Sequence, residues 1–321
     1  MTASLPTEIR EVFSRFVTCE YTTVGGRQQP ITWPVTPYYR DGGPTIDVTT
    51  GLGYPKKADD ARGHPSVSLL FSDPTGSGLE APAQVLVQGT AEVDERDLAA
   101  NADRYFRESG EKLPATRKLH PPKPMRRMFD WYYTRIYVHV RPERVFVWPR
   151  GDIGAEPAVH DAHMEEVRSG HSEEPPEDHG AAARGPTAWD DRLEELRRGH
   201  ETAVVSWLAP DGFPLSARLP IRVDRDAHAI HLLREPAGLP LADGRACLTV
   251  HRHNPDFTWQ SNFQVRGNLS AEEGAWRLVP RKLVGGIELP KGPVGRYRSF
   301  ISATRRYRRR AKERMRRPKT G

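Results

Sequence analysis

At 321 residues, 37% of them hydrophobic and 8% aromatic, the chain is long enough for two domains but thin for one large core. Its 29 Pro and 27 Gly favour turns and short strands over long helices. Net charge is +6, yet residues 291–321 hold thirteen Lys or Arg against one acid, Glu313, a net of +12, so residues 1–290 carry −6 and the basicity belongs to one segment. No run of about 18 apolar residues is present, so no membrane span is expected. Met1–Glu8 lacks a basic region followed by an apolar one, so it reads as no secretory signal, and a cytoplasmic location is the default expectation. Cys19 and Cys247 sit in apolar β-like runs and read as small buried thiols.

Residues 6–16 read as a helix, with Ile9, Val12, Phe13 and Phe16 on one face. Strands follow at 17–24 and 30–39, and Asp41-Gly42-Gly43 turns into a third at 45–50. Residues 66–71 and 84–93 pair across a Gly-rich turn. Residues 97–110 and 125–133 are helical, and two last strands occupy 135–140 and 144–148. Such short connections imply antiparallel pairing in a barrel-like order of about six strands with helices outside.

The stretch Thr45–Gly89 organises this half. A β-branched strand ends in Thr49-Thr50, and Lys56-Lys57 follow within a few residues. Two hydroxyl donors followed by two point charges suit a phosphate. His64-Pro65-Ser66-Val67-Ser68-Leu69 and Gln84-Val85-Leu86-Val87-Gln88-Gly89 complete the stretch, while Asp59, Asp60, Arg62 and His64 read as surface residues of the intervening turn.

In their order and spacing these four elements resemble the split β-barrel family of pyridoxamine 5'-phosphate oxidase-like proteins, which includes flavin- and deazaflavin-dependent oxidoreductases. The resemblance covers roughly residues 5 to 150. It implies that Thr49, Thr50, Lys56 and Lys57 contact the cofactor phosphate, that Thr32 and Trp33 lie on the strand beneath the ring, and that Gln84 approaches the ring or ribityl chain. It also implies a cofactor groove between two barrels.

Residues 152–186 mix nine Asp or Glu with Pro, Gly, Ala and the histidines His160, His163, His171 and His179, and read as a disordered acidic linker. The histidine spacing matches no compact metal site, and no metal is expected.

The second half repeats the first. A shift of 184 positions places Ile9 on Leu193, Val12 on Leu196, Pro30 on Pro214, Val35 on Leu219 and Ile46 on Ile230. Val67-Ser68-Leu69 falls on Leu248-Thr249-Val250, and Val87-Gln88-Gly89 on Val265-Arg266-Gly267. The copies differ in chemistry: Tyr54-Pro55-Lys56-Lys57-Ala58 corresponds to Gly238-Leu239-Pro240-Leu241-Ala242, and Thr49-Thr50 to Leu233-Arg234.

The expected fold is therefore mainly β (α+β): a tandem of two antiparallel split β-barrels with peripheral helices. Residues 1–151 form the cofactor-binding barrel, 152–186 the linker, 187–290 a degenerate second barrel and 291–321 a basic helical tail. The second barrel would act as a partner wall, offering Arg218, Trp259 or Gln264, so that an intrachain pseudo-dimer or a homodimer completes the groove. No nucleophile elbow, Walker loop, zinc spacing or dinucleotide fingerprint is present. Flavin chemistry requires none of these, so no catalytic residue is assigned. The function expected is FMN-binding oxidoreduction of a small-molecule substrate. Deazaflavin coenzyme F-420 is the alternative cofactor, and a non-catalytic tandem barrel with a polyanion-binding tail is the alternative class.

Overall fold

In this computed structural model the chain is described at residues 5–119, 126, 129–161, 186–272, 274–286, 304 and 307–316. Helix α1 (Thr7–Arg15) buries Ile9, Val12 and Phe13, as its spacing dictates. The strands β1 (Cys19–Gly25), β2 (Gln29–Val35), β3 (Tyr38–Tyr39) and β4 (Ile46–Gly51) then lead into helix α2 (Lys56–Gly63). Strands β5 (Ser66–Phe71) and β6 (Gln84–Asp94), helices α3 (Leu98–Lys112) and α4 (Asp130–Tyr133), and strand β7 (Arg135–Trp148) complete the first unit. Its sheet runs β2-β1-β5-β6-β7-β4-β3, and every pairing is antiparallel.

The second unit holds α5 (Pro186–Gly199), β9 (Thr202–Leu208), β10 (Pro214–Asp224), β11 (Ala229–Leu232), β12 (Gly244–His253), β13 (Gln260–Glu272) and β14 (Ala275–Gly285). Its strands close in the order β10-β11-β14-β13-β12-β9. This is the neighbour order of the first unit, with β9 for β1, β10 for β2, β11 for β4, and β12, β13 and β14 for β5, β6 and β7. They differ in closure, because β10 pairs with β11 whereas the first sheet is continued by β3.

Register confirms the repeat residue by residue. Tyr21 faces Trp33 as Val205 faces Ala217, and Ile46 faces Val140 as Ile230 faces Leu278. Both units carry a bulge at the same place, between Gln88 and Gly89 and between Arg266 and Gly267. An added Cβ would meet the Arg141 carbonyl oxygen at 2.2 Å in one and the Val279 carbonyl oxygen at 2.2 Å in the other. One correspondence is corrected. Tyr21 pairs Leu69 and Val205 pairs Leu248, so Leu69 matches Leu248, two residues from the expected partner Val250. A two-residue slip keeps every side chain on its own face, so hydrophobic patterning cannot detect it.

The two units pack about a pseudo-twofold axis marked by four buried hydroxyls. Thr22 Oγ1 lies 3.0 Å from Ser216 Oγ, and Thr32 Oγ1 lies 2.6 Å from Ser206 Oγ. Within each unit, Thr22 and Thr32 approach to 2.9 Å and Ser206 and Ser216 to 2.8 Å. Thr22 and Ser206 are equivalent positions, as are Thr32 and Ser216, so each residue contacts the other's counterpart, as in an isologous dimer. The second core also draws Leu70, Leu86, Phe146 and Trp148 from the first sheet. Strand β1 is buried at all seven positions because one face looks into its own core and the other onto the neighbouring unit.

Three expectations need correction. Strand β7 is one strand, not two. The linker does not begin at 152: Ile153 is buried in the second core and β8 (Ala158–Asp161) pairs with β7. The turn carrying Asp60 is a helix, and Asp60 is buried. Of the linker histidines, His160 lies in β8, while His163, His171 and His179 fall outside the described residues, as does most of the expected linker. Cys19 and Cys247 are buried and unbridged. No helix among the described residues is long and apolar enough to cross a membrane.

The described part of the basic tail, residues 307–315, is helical and packs on the first unit. Ala311 is buried in the first core, Tyr307 stacks on Trp131 at 5.4 Å, and Arg314 pairs with Asp59 and Glu95. Arg308, Arg310, Lys312 and Arg316 remain exposed.

Candidate functional site

The end of β4 is built by close backbone approach. A Cβ at Gly51 would lie 2.8 Å from the Trp131 carbonyl oxygen, so only glycine fits without displacement. The chain then turns: the Tyr54 amide donates to the Gly51 carbonyl at 3.0 Å, and Thr50 Oγ1 donates to the Tyr54 carbonyl at 2.8 Å. Pro55 occupies the N-cap of α2, which has no side-chain cap, and Ala58 and Asp59 are the first amides to find a backbone acceptor, at Pro55. The amides of Lys56 and Lys57 therefore open the helix with donors that find no acceptor among the described residues, at its positive end.

The two lysines part here. Lys56 Nζ pairs with Asp60 Oδ1 at 3.0 Å. Burial raises the Asp60 carboxyl to a pKa of about 6 despite that lysine. Lys57 is partly buried, its Nζ lies 5.9 Å from the Tyr54 ring centroid, and among the described residues it has no carboxylate partner. Burial first, and then the charge of Arg135, lower its pKa to about 8.

Arg135 opens β7 opposite Gly51 and is buried. Its Nη1 donates to the Tyr54 hydroxyl and its Nη2 to the Tyr105 hydroxyl, both at 2.9 Å. The guanidinium also lies over the rings of Tyr105, at 4.2 Å, and Tyr132, at 4.3 Å. Its Nε is buried without a hydrogen-bond partner among the described residues. Burial pushes the phenols of Tyr38, Tyr54 and Tyr105 upward, so they stay neutral and supply no countercharge. Nearby carboxylates are committed elsewhere: Asp47 to Arg104 and His139, and Glu108 to Arg104 and Tyr137. Among the described residues these two neighbouring cations thus lack an anion, an arrangement that is costly unless a ligand supplies one.

The remaining expected residues lie as follows. Thr49 is half-buried on β4 beside Tyr137. The hydroxyl proton of Thr50 is spent on Tyr54. Thr32 belongs to the hydroxyl quartet, and its carbonyl accepts from Thr249 Oγ1 at 3.0 Å and from Gln264 Nε2. Trp33 is half-buried on β2 and alternates to the opposite face from Thr32. Gln84 is buried, with Nε2 unpartnered among the described residues, but it pairs with Trp148 at the far end of β7 from Arg135. Thirteen residue steps separate those ends, a strand contour of about 40 Å. The structure therefore brings Thr50 and Lys57 together at Tyr54, places Thr49 on the same strand and Lys56 beside Lys57 but paired with Asp60, and sets Gln84 apart. Of the expected wall residues, Gln264 reaches Thr32, Arg218 pairs with Glu20 at 3.0 Å, and Trp259 lines a cavity with His200 and Arg252. Arg135 and its tyrosines escaped the sequence analysis. The one available signal was an arginine preceded by Trp131-Tyr132-Tyr133 at the start of an apolar strand.

No family model matches this chain, and no curated protein does. Solved structures are similar to it in fold. A pyridoxinephosphate oxidase family protein related to general stress protein 26, from Clostridium acetobutylicum, is 12% identical with a TM-score of 0.34, covering 48% of this chain and 92% of its own. An F420 reductase is 15% identical with a TM-score of 0.31, covering 42% of this chain and 94% of its own. The heme storage protein HutZ from Vibrio cholerae is 17% identical with a TM-score of 0.33, covering 45% of this chain and 95% of its own.

Proposed function

We propose that the first barrel binds the phosphate end of a flavin at the start of α2, and that the protein is an FMN-dependent oxidoreductase acting on a small molecule. The observation that carries this reading is the uncompensated pair Lys57 and Arg135 beside the free amides of Lys56 and Lys57. A phosphate would complete that set: two cations, two helix-terminal N–H groups and the Thr49 hydroxyl. Lys56 contributes through its amide, since its ammonium is held by Asp60. Tyr54, Tyr105 and Tyr132 keep the cations fixed and water-poor, which strengthens their pull on an anion. Trp33 and the tyrosine rings offer stacking faces; Gln84 would need a ligand reaching the far end of the sheet. Bound there, a flavin supplies the hydride or electron path, and the chain binds, orients and shields it.

The test is flavin retention by the whole protein after desalting, read from its visible spectrum, with FMN and coenzyme F-420 offered separately. Retention of FMN is the expected result. Replacing Lys57→Leu and Arg135→Met together should weaken it about tenfold or more, the worth of a lost charge-assisted contact. Retention of coenzyme F-420 in place of FMN would reassign the cofactor. A colourless protein that holds neither, or unchanged affinity in the double variant, would overturn the reading.

A further inference from the structure

A second polar cluster lies in the seam between the barrels, away from α2. It joins Glu20 of β1, Asp73 just after β5, Arg218 of β10, and His251 and His253 of β12. The two histidines are two residues apart on one strand and so share a face, with rings parallel to within 2°.

Hydrogen bonding fixes both tautomers. His253 Nδ1 lies 3.0 Å from the Asn254 carbonyl oxygen, which can only accept, so the proton is on Nδ1 and Nε2 carries a lone pair. Thr18 Oγ1, at 3.1 Å, is the one protein donor in reach of that lone pair among the described residues, and a bound ion would take its place there. His251 Nε2 lies 2.6 Å from Glu20 Oε1 and 3.1 Å from Arg218 Nη2; the carboxylate is the nearer partner and accepts, so Nε2 carries the proton and Nδ1 the lone pair. His251 is 2% exposed in its side chain, yet its Nδ1 has no hydrogen-bond partner among the described residues. Asp73 spends Oδ1 on the Thr75 amide at 3.1 Å and turns Oδ2 inward, 3.7 Å from His251 Nδ1 and 3.7 Å from His253 Nε2. The three donor atoms all lie within 4.8 Å of one another.

We infer that Asp73, His251 and His253 bind one divalent first-row transition-metal ion, zinc by their donor set, between the two barrels. Metal–ligand bonds of about 2.0–2.2 Å set tetrahedral ligand atoms about 3.4 Å apart; the carboxylate oxygen is within a few tenths of an ångström of that spacing from each histidine nitrogen, and all three atoms lie within 4.8 Å, so binding draws the two histidines in. Two imidazoles and one carboxylate leave the fourth position open. Glu20 and the Asn254 carbonyl hold the ligating rings from behind, as outer partners of metal-bound histidines do. Glu20 is itself balanced by Arg218, so Asp73 contributes the negative charge that a dication needs. Asp73 is 17% exposed in its side chain, which gives the ion a way in. The pseudo-twofold does not duplicate the site: Glu20 corresponds to Val204, Arg218 to Pro34 and His251 to Ser72. The single ion ties one barrel to the other.

The experiment uses flavin-free, chelator-stripped full-length protein, so its outcome is separate from that of the cofactor reading. Co2+ is titrated while the visible d–d bands of a low-coordinate site are followed, and Zn2+ then competes it away. Thermal unfolding is recorded with and without Zn2+. One Co2+ per chain, displaced by Zn2+, with a higher Tm in Zn2+, is expected. His253→Ala and Asp73→Asn should each abolish the bands and the Tm shift, and Glu20→Gln should weaken binding about 10–100-fold. Should His253→Ala fail to fold, the near-isosteric Asp73→Asn decides. Absence of bands and Tm shift in the wild type, or one-equivalent binding that survives Asp73→Asn, would overturn the site.

Discussion

The two barrels share strand order, bulge position and a common axis, yet they finish the same loop in opposite ways. In the first, the loop after β4 winds into α2 and presents Lys56 and Lys57 beside buried Arg135. In the second, the corresponding Gly238–Ala242 buries Leu239 and Leu241, and Trp207 Nε1 donates to the Pro240 carbonyl at 3.0 Å. One copy plugs its mouth with aliphatic side chains and closes into a complete barrel; the other keeps charge there and stays open. A repeated scaffold needs its ladder and core twice, but the charged mouth occurs once.

Three measurements press on that comparison. Leu69→Ala and Leu248→Ala remove equivalent, fully buried side chains, and each should cost about 2–5 kcal/mol. Because Leu70 and Leu86 of the first sheet sit in the second core, both variants should move one cooperative transition in denaturant melts. Two separable transitions would break the picture of a joined pair. Gly89→Ala and Gly267→Ala come next, at about 1–3 kcal/mol each, since the added methyl meets a strand carbonyl in both. A large cost in one and none in the other would show that the bulges differ in role.

Smallest is Lys57→Leu, which writes the second barrel's chemistry into the first. Without ligand it should raise Tm, because it removes a charge held without a carboxylate partner. The pH dependence sharpens this. Lys57 titrates near 8 when folded and near the ordinary 10.5 when unfolded, so between those values the unfolded chain binds more protons and stability rises with pH. Lys112, also lowered to about 8 by burial, adds to the same rise. Lys57→Leu should flatten the slope in part, leaving the Lys112 share. An unchanged slope between pH 8 and 10.5 would place the ammonium of Lys57 in solvent.

The repeat was legible because helix face, strand alternation and turns recur in order from α1 and α5 onward. The charge of Lys57 at this loop drew notice in the sequence because the second copy lacks it. Other features hide for stated reasons. Helix α2 buries only Ala58, Asp60 and Ala61, so its residues carry no apolar stripe and read as a turn. Arg135 gains its meaning from tyrosines on three other elements, which only the folded chain collects. Gln84 looked close to Lys57 in sequence order, but strand direction carries it to the opposite end of the sheet. Asp73, His251 and His253 are drawn together from both copies, with no spacing to betray them.

The docked position of Ala311 has a consequence for biogenesis. The first barrel's interior includes a side chain that follows the second barrel in sequence, and Trp131 and Tyr54 gain their cover from Tyr307. The half that leaves the ribosome first is therefore sealed only after the second has been made. Until translation passes Ala311, the wall beside Lys57 and Arg135 stands uncovered in the nascent polypeptide.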